Sequence, residues 1–195
     1  MLPIRERRRF SADEYLMVEE QALTKSEFCA GEIFAMSGAS LEHNRLVRNL
    51  IIELGNGLKG KSCEVFPSDL RLHVERYALY TYPDVLVVCG PPRLLPGRKD
   101  TLVDATLIIE VLSPSTRDYD RNDKFRFYRE LPSFSEYLLV AQDELKIEHH
   151  RRVAPGQWLL TDFGGEDSEI VLSSIDVSLR LDEIYRGVFG SAESA

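Results

Sequence analysis

Three charged side chains stand on segments that otherwise read as apolar, and their types fit one chemistry. Asp84 follows Pro83 at the start of PDVLVVC, Glu110 interrupts ATLIIEVL, and Lys124 lies in DYDRNDKFRFYREL. A continuous Ile/Leu/Val run reads as a strand buried on both faces, where an ionised carboxylate is costly unless paired. Glu110 therefore needs a partner. With Lys124 at the origin of a helical wheel, Tyr128 falls at about 40°, Leu131 at about 340° and Phe127 at about 300°, while Arg126, Arg129 and Glu130 fall on the other side. Lys124 is centred on the apolar face and directed at the sheet. Two carboxylates and a lysine at strand ends suit metal-assisted phosphodiester hydrolysis: the carboxylates hold Mg²⁺ or Mn²⁺, and the ammonium orients or deprotonates water and offsets developing charge. The plainer account is a structural Glu110–Lys124 ion pair with Asp84 as a turn residue, since structural pairs fall on such faces too.

The elements that must position these residues follow from local patterning. SADEYLMVEEQ, capped by Ser11, reads as a short amphipathic helix. KSEFCAGEIFAMSG reads as strand, turn or bulge at Gly31, then strand. SLEHNRLVRNLIIELGNGL has a Ser40 cap and Leu46, Val47, Leu50, Ile51 and Leu54 at helical spacing, ending at Gly55 and Gly57. CEVF and LRLHV then flank a turn at Pro67, Ser68 and Asp69, YPDVLVVCG is a buried strand, and PPRLLPGRKD is loop. After the Glu110 strand come a helix from Asp118 to Leu131, a strand in EYLLVA and a meander in KIEHHRR, QWLLTDF and EIVL. This order predicts an α/β (α+β) fold: a mixed central β-sheet flanked by helices, with a front β-hairpin and C-terminal strands appended.

Composition narrows the function classes. The 195 residues predict one domain over the whole chain, 1–195, with its core over roughly residues 25–150. A hydrophobic fraction of 44% and a charged fraction of 29% are those of a soluble globular protein, and no apolar run is long enough to span a bilayer, so no membrane partner is expected. No apolar segment follows the basic MLPIRERRRF, so that stretch is not expected to be a secretory signal. Cys29, Cys63 and Cys89 form no CxxC pair, which predicts reduced thiols and a cytoplasmic location rather than a disulfide frame or zinc site. A net charge of −8 opposes bulk coating of nucleic acid but leaves room for a local basic groove.

YPDVLVV followed by LIIEVLSPSTRDYDRNDKFRFYRELPSFSEYLLV resembles the bacterial Uma family of restriction-endonuclease-like proteins, grouped with the PD-(D/E)XK nucleases, and the resemblance takes in SEFCAGEIFAMSGASLEHNRLVRNL. It implies a restriction-endonuclease-like core, Pro83 and Asp84 as the PD, Glu110 as the following acid, and a divalent cation, Mg²⁺ or Mn²⁺, between Asp84 and Glu110. DNA is the expected partner and a homodimer the expected assembly. The superfamily's lysine falls two residues after the acid, which here is Leu112; the wheel and the family pattern both transfer that role to Lys124. His43, in the first turn of the second helix, sits where the family also carries a histidine, with capping or a surface position as its bland alternative. Glu27 and Glu32 match acidic positions of the front hairpin. An odd separation puts them on opposite faces of a regular strand, and Glu32, sharing the parity of Phe28, Phe34 and Met36, is the expected site residue.

Other signals are weaker. Arg45, Arg48 and Arg121 offer phosphate contacts, though each reads as well as a solvated helix residue. DYDRND imitates a calcium loop at Asp118, Asp120 and Asn122 but has Asp123 and Arg129 at positions needing Gly and Glu, so it reads as the polar first turn of a helix. SPST lacks a nucleophile elbow and turns the chain near a phosphate. His149 and His150, adjacent on a strand, are expected at the surface. The predicted activity is metal-dependent DNA hydrolysis; the alternatives are an inactive nuclease-like module that binds nucleic acid or protein, and a hydrolase of a smaller phosphate ester.

Overall fold

The computed structural model describes residues 8–189; most of the basic MLPIRERRRF stretch lies outside the described residues. Helix α1 (Ala12–Glu19) starts from a Ser11–Glu14 capping box, each side chain accepting from the other's backbone amide. Strands β1 (Ser26–Cys29) and β2 (Glu32–Ala35) follow, joined by Ala30 and Gly31, both at positive φ (47° and 97°). This is the turn geometry that matches strand twist in a tight hairpin. Helix α2 (Leu41–Gly57) is capped by the Ser40 hydroxyl on the His43 amide. Next come β3 (Cys63–Pro67), β4 (Arg71–Val74), a 3₁₀ turn, β5 (Leu79–Thr81), β6 (Val85–Cys89), β7 (Thr101–Leu102) and β8 (Leu107–Leu112). The lysine segment is α3 (Arg117–Tyr119), a π-helical turn (Asp120–Lys124) and α4 (Phe125–Tyr128) in succession. Strands β9 (Glu136–Ala141), β10 (Lys146–Ala154), β11 (Gln157–Gly164), β12 (Glu169–Leu172) and β13 (Val177–Arg180) and helix α5 (Leu181–Ile184) complete the chain.

The central sheet is six-stranded and mixed, in the order β11-β10-β9-β8-β6-β3, with β8 and β9 parallel and the other pairs antiparallel. Alternation along its strands separates two cores. Leu107, Ile109 and Val111 of β8 pack with Leu46, Leu50 and Leu54 of α2 and with Ile170, Leu179 and Ile184 near the C-terminus. Ile108 and Leu112 face Phe127 and Tyr128 of α4 and Leu72, Leu79 and Leu102 of a second sheet, ordered β2-β1-β5-β4-β7. Glu110 shares the parity of Ile108 and Leu112, so β8 aims it at the lysine helix and the second sheet. The second sheet was not expected from the sequence. It takes in the front hairpin, because β1 pairs with β5, a three-residue strand too short to show a period.

Two expectations are corrected. Cys63 and Cys89 form a disulfide rather than lying as reduced thiols, leaving Cys29 free. The antiparallel β3–β6 register sets them directly opposite, Cα atoms 3.9 Å apart, a proximity that a separation of 26 residues hides. His149 is buried, not superficial: its Nε2 lies 3.3 Å from the fully buried Glu136, whose carboxylate also accepts from the Ser173 and Ser174 amides and hydroxyls. Those bonds, with His149, hold the Glu136 carboxyl below its ordinary range although burial pulls the other way. His150 packs on Phe125, and burial lowers its pKa. The strand alternates faces as expected, but both faces are covered. Among the described residues no helix is long and apolar enough to cross a membrane.

Candidate active site

Lys124 is buried and its ammonium meets three carboxylates: Glu110 Oε1 at 3.1 Å, Glu27 Oε1 at 3.2 Å and Asp120 Oδ1 at 3.3 Å. Each comes from a different piece of backbone. Glu110 stands at the middle of β8, Glu27 on β1, and Asp120 one turn before the lysine. Tyr128, one turn after it, donates to the same Glu110 oxygen at 2.8 Å. Glu27 is held from behind by the Thr81 hydroxyl and, at 3.4 Å, the Tyr82 amide, both delivered by the β1–β5 pairing.

Asp84 closes the other side of the cluster. It sits at the mouth of β6, beside β8, where its amide points at Glu110 Oε2 (3.4 Å) and its Oδ2 accepts from the Val111 amide at 2.8 Å. His43 Nε2 reaches the same Oδ2 at 3.1 Å from the first turn of α2. The Nδ1 of His43 is buried and has no hydrogen-bond partner among the described residues. Asp84, Glu110, Glu27, Asp120, Lys124 and His43 all open on one cavity of about 780 Å³.

The electrostatics follow from counting. Burial is the largest influence on Glu110 and raises its pKa well above the carboxylate range; Lys124 opposes it, and the charges of Asp120, Asp84 and Glu27 add to it. Asp120 is likewise raised, burial first. Burial would lower the lysine, but Glu110, Glu27, Tyr128 and Asp120 outweigh it and keep the ammonium charged. One cation thus faces more carboxylate than it can neutralise, so the cluster has room for positive charge or for protons.

Glu32 is the hairpin acid expected from the sequence, whereas the structure brings Glu27 and not Glu32 to the cluster. Parity was carried across the turn as though the strand continued, but a two-residue turn pairs Glu27 with Phe34 and Cys29 with Glu32, placing both acids on one face. Glu32 then lies at the turn end of the hairpin, outside the cavity lining, and Glu27 lies at the cluster. Asp120, read from the sequence as part of a polar helix turn, is a site residue the sequence reading missed: it is 2% exposed and paired with Lys124. Its spacing of four from Lys124 was the available signal, since residues i and i+4 share a helix face. Arg121 is committed to Glu148 (2.7 Å) and Arg48 to Asn49 (2.8 Å), Arg45 bonds the Val188 carbonyl (3.4 Å), and none of the three lines the cavity. Lys25, Ser113, Ser115 and Thr116 do.

Asp84 and Glu110 are the residues whose donors fit a divalent cation. Among the described residues no group of three His, Cys, Asp or Glu side chains is placed to share a metal. Mg²⁺ asks for less, since it keeps several waters and is commonly held by one or two carboxylates plus substrate phosphate. Asp84 Oδ1 accepts no hydrogen bond among the described residues, Glu110 Oε2 accepts only the long one from the Asp84 amide, and both are hard oxygen donors beside excess negative charge.

The mixed central sheet, with Glu110 on an inner strand and Asp84 and Lys124 against it, has the arrangement expected of a restriction-endonuclease-like core. The chain belongs to the Uma2 family: the family's model, described as "Putative restriction endonuclease", matches residues 12–182. It is 42% identical over 167 residues to the uncharacterized protein sll1609 of Synechocystis sp., covering 86% of this chain and 94% of that one. It is 38% identical over 182 residues to slr1290 of the same organism, covering 92% and 93%. Among solved structures it is similar to a crystal structure titled a putative nuclease belonging to DUF820, from Anabaena variabilis, at a TM-score of 0.75 and 18% identity, over 92% of this chain and 99% of that one. At that identity the likeness shows the fold.

Proposed function

We propose that this chain is an endonuclease that hydrolyses DNA phosphodiester bonds with a divalent cation, Mg²⁺ or Mn²⁺, held by Asp84 and Glu110. The observation that carries the reading is the surplus of carboxylate around Lys124 at the wall of a cavity large enough for a nucleotide. Buried acids in excess of their cations are expensive to keep, and a cation-dependent phosphate site gives them a use. When bound, the cation supplies charge neutralisation at the phosphate and acidifies water.

The chain's own groups have separable tasks in this reading. Tyr128 and the Asp84 amide fix the two oxygens of Glu110, and His43 and the Val111 amide fix Asp84 Oδ2, leaving Oδ1 without a hydrogen bond among the described residues. Lys124, charged and fixed by three acids, orients the attacking water and faces the negative charge that develops on the phosphate. Asp120 and Glu27 position the ammonium. The test is nicking of a supercoiled plasmid with Mg²⁺ or Mn²⁺. Cleavage that stops with chelator and in Asp84→Ala is the expected result; cleavage indifferent to both would remove Asp84 and the cation from the mechanism.

A further inference from the structure

We infer that the cavity takes single-stranded nucleic acid, with Phe34 as the platform on which an unpaired base stacks. The inference rests on the nuclease reading above and names the substrate class of that site. Phe34 is 47% exposed, stands on β2 at the edge of the second sheet, and lies directly opposite Glu27 in the hairpin register. Cross-strand partners have Cβ atoms about 4.5 to 5.5 Å apart, so the ring adjoins the carboxylate cluster. Ala35, Met36 and Val47 extend the apolar wall of the same cavity.

The cavity therefore offers two chemistries side by side: an acidic wall suited to a cation and phosphate, and an apolar, aromatic wall suited to a base face. A duplex approaching from outside presents phosphate and sugar, while its base faces are stacked within; only an unpaired base can lie on Phe34. Electrostatics point the same way. Duplex DNA carries one negative charge per about 1.7 Å of its axis and is held mainly by cations along its backbone. Among the described residues, the lysines or arginines lining the cavity are Lys25 and Lys124; Lys124 stands at the reaction centre and Lys25 bonds Asp69 and the Ser68 carbonyl, so the two form no basic track along a duplex backbone. The whole chain carries a net charge of −8. Base–aromatic stacking supplies affinity without a basic track.

The experiment measures fluorescence anisotropy of a short labelled oligothymidylate and of a labelled blunt-ended two-strand duplex, with Ca²⁺ in place of Mg²⁺ to hold back turnover. The wild type should prefer the single strand by about fivefold or more, one base–aromatic stack being worth about 1 to 3 kcal/mol, or about 5- to 140-fold in affinity. Phe34→Ala should lose that factor and Phe34→Tyr should keep it. Phe34→Leu, which retains apolar bulk without a π face, should behave as Phe34→Ala and covers the case in which the alanine variant folds poorly. Equal or tighter duplex binding, or wild-type affinity in Phe34→Leu, overturns the inference. A parallel Mn²⁺ cleavage assay on circular single strands and plasmid separates the two levels: duplex cut in preference to single strand overturns this inference and leaves the nuclease reading standing. If neither form is bound or cut, both fall.

Discussion

Replacing Lys124 with methionine tests the charge accounting at the heart of the site. At an effective dielectric of about 20, each contact of the ammonium with Glu110, Glu27 and Asp120, at 3.1, 3.2 and 3.3 Å, is worth about 5 kcal/mol before desolvation is subtracted. Removing one partner of a buried ion pair typically costs about 3 to 5 kcal/mol net, and here three carboxylates lose their cation at once, so that range is a lower bound. For a chain of this size it corresponds to about 6 to 20 °C in melting temperature. Lys124→Met should therefore melt at least that far below the wild type in chelator by circular dichroism, and recover part of the loss in millimolar Mn²⁺, because a ligand that binds only the native state stabilises it by mass action. Adding Glu110→Gln should restore only a fraction, since Glu27 and Asp120 remain uncompensated. In the Mn²⁺-loaded state the variant should be slower by about 10²-fold or more. A Lys124→Met protein that melts with the wild type in chelator would refute the premise that the lysine compensates these acids, and one that also cuts at wild-type rate would remove Lys124 from the reaction.

Three further outcomes are expected. Mn²⁺ should raise the wild-type melting temperature by mass action, and Asp84→Ala should abolish the rise in the same scan. Reduction with a phosphine should lower the melting temperature, because the Cys63–Cys89 bridge closes a loop of 26 residues, a constraint worth about 3.5 kcal/mol in the chain-entropy picture, and Cys63→Ser should be insensitive to the reductant. Glu136 has a folded pKa below its unfolded value, so its stabilisation is present above the unfolded pKa of about 4.5 and is lost as pH falls through the folded value; the gap in urea midpoint between wild type and Glu136→Gln should be wide near neutral pH and shrink in acid.

How far the sequence carried depended on how local each signal was. The capped helix α2, the buried strand holding Glu110 and the face of the lysine helix were legible because each rests on a period within one element. The contacts with Glu27 and Thr81, the Cys63–Cys89 bridge and the burial of His149 were not, since each comes from a pairing between strands whose register no single segment records. The hairpin shows the limit most directly: the same alternation that predicts one strand well gives the wrong face once the chain reverses through two residues.

Leu112 shows why the lysine had to come from elsewhere. A lysine two residues after Glu110 would share its face of β8, because strand side chains alternate with a period of two. That position is filled by a leucine, 3% exposed, packed in the core with Phe127 and Tyr128. An ammonium placed there would enter an apolar layer. The helix that covers this layer offers another route to the same carboxylate: Asp120, Lys124 and Tyr128 follow at intervals of four through the π-helical turn, so one stripe carries the cation and the hydroxyl that meet at Glu110, and the acid that holds the cation. π turns widen the helix locally and recur at functional sites. The strand keeps its apolar packing, and the charge reaches Glu110 across the interface between layers.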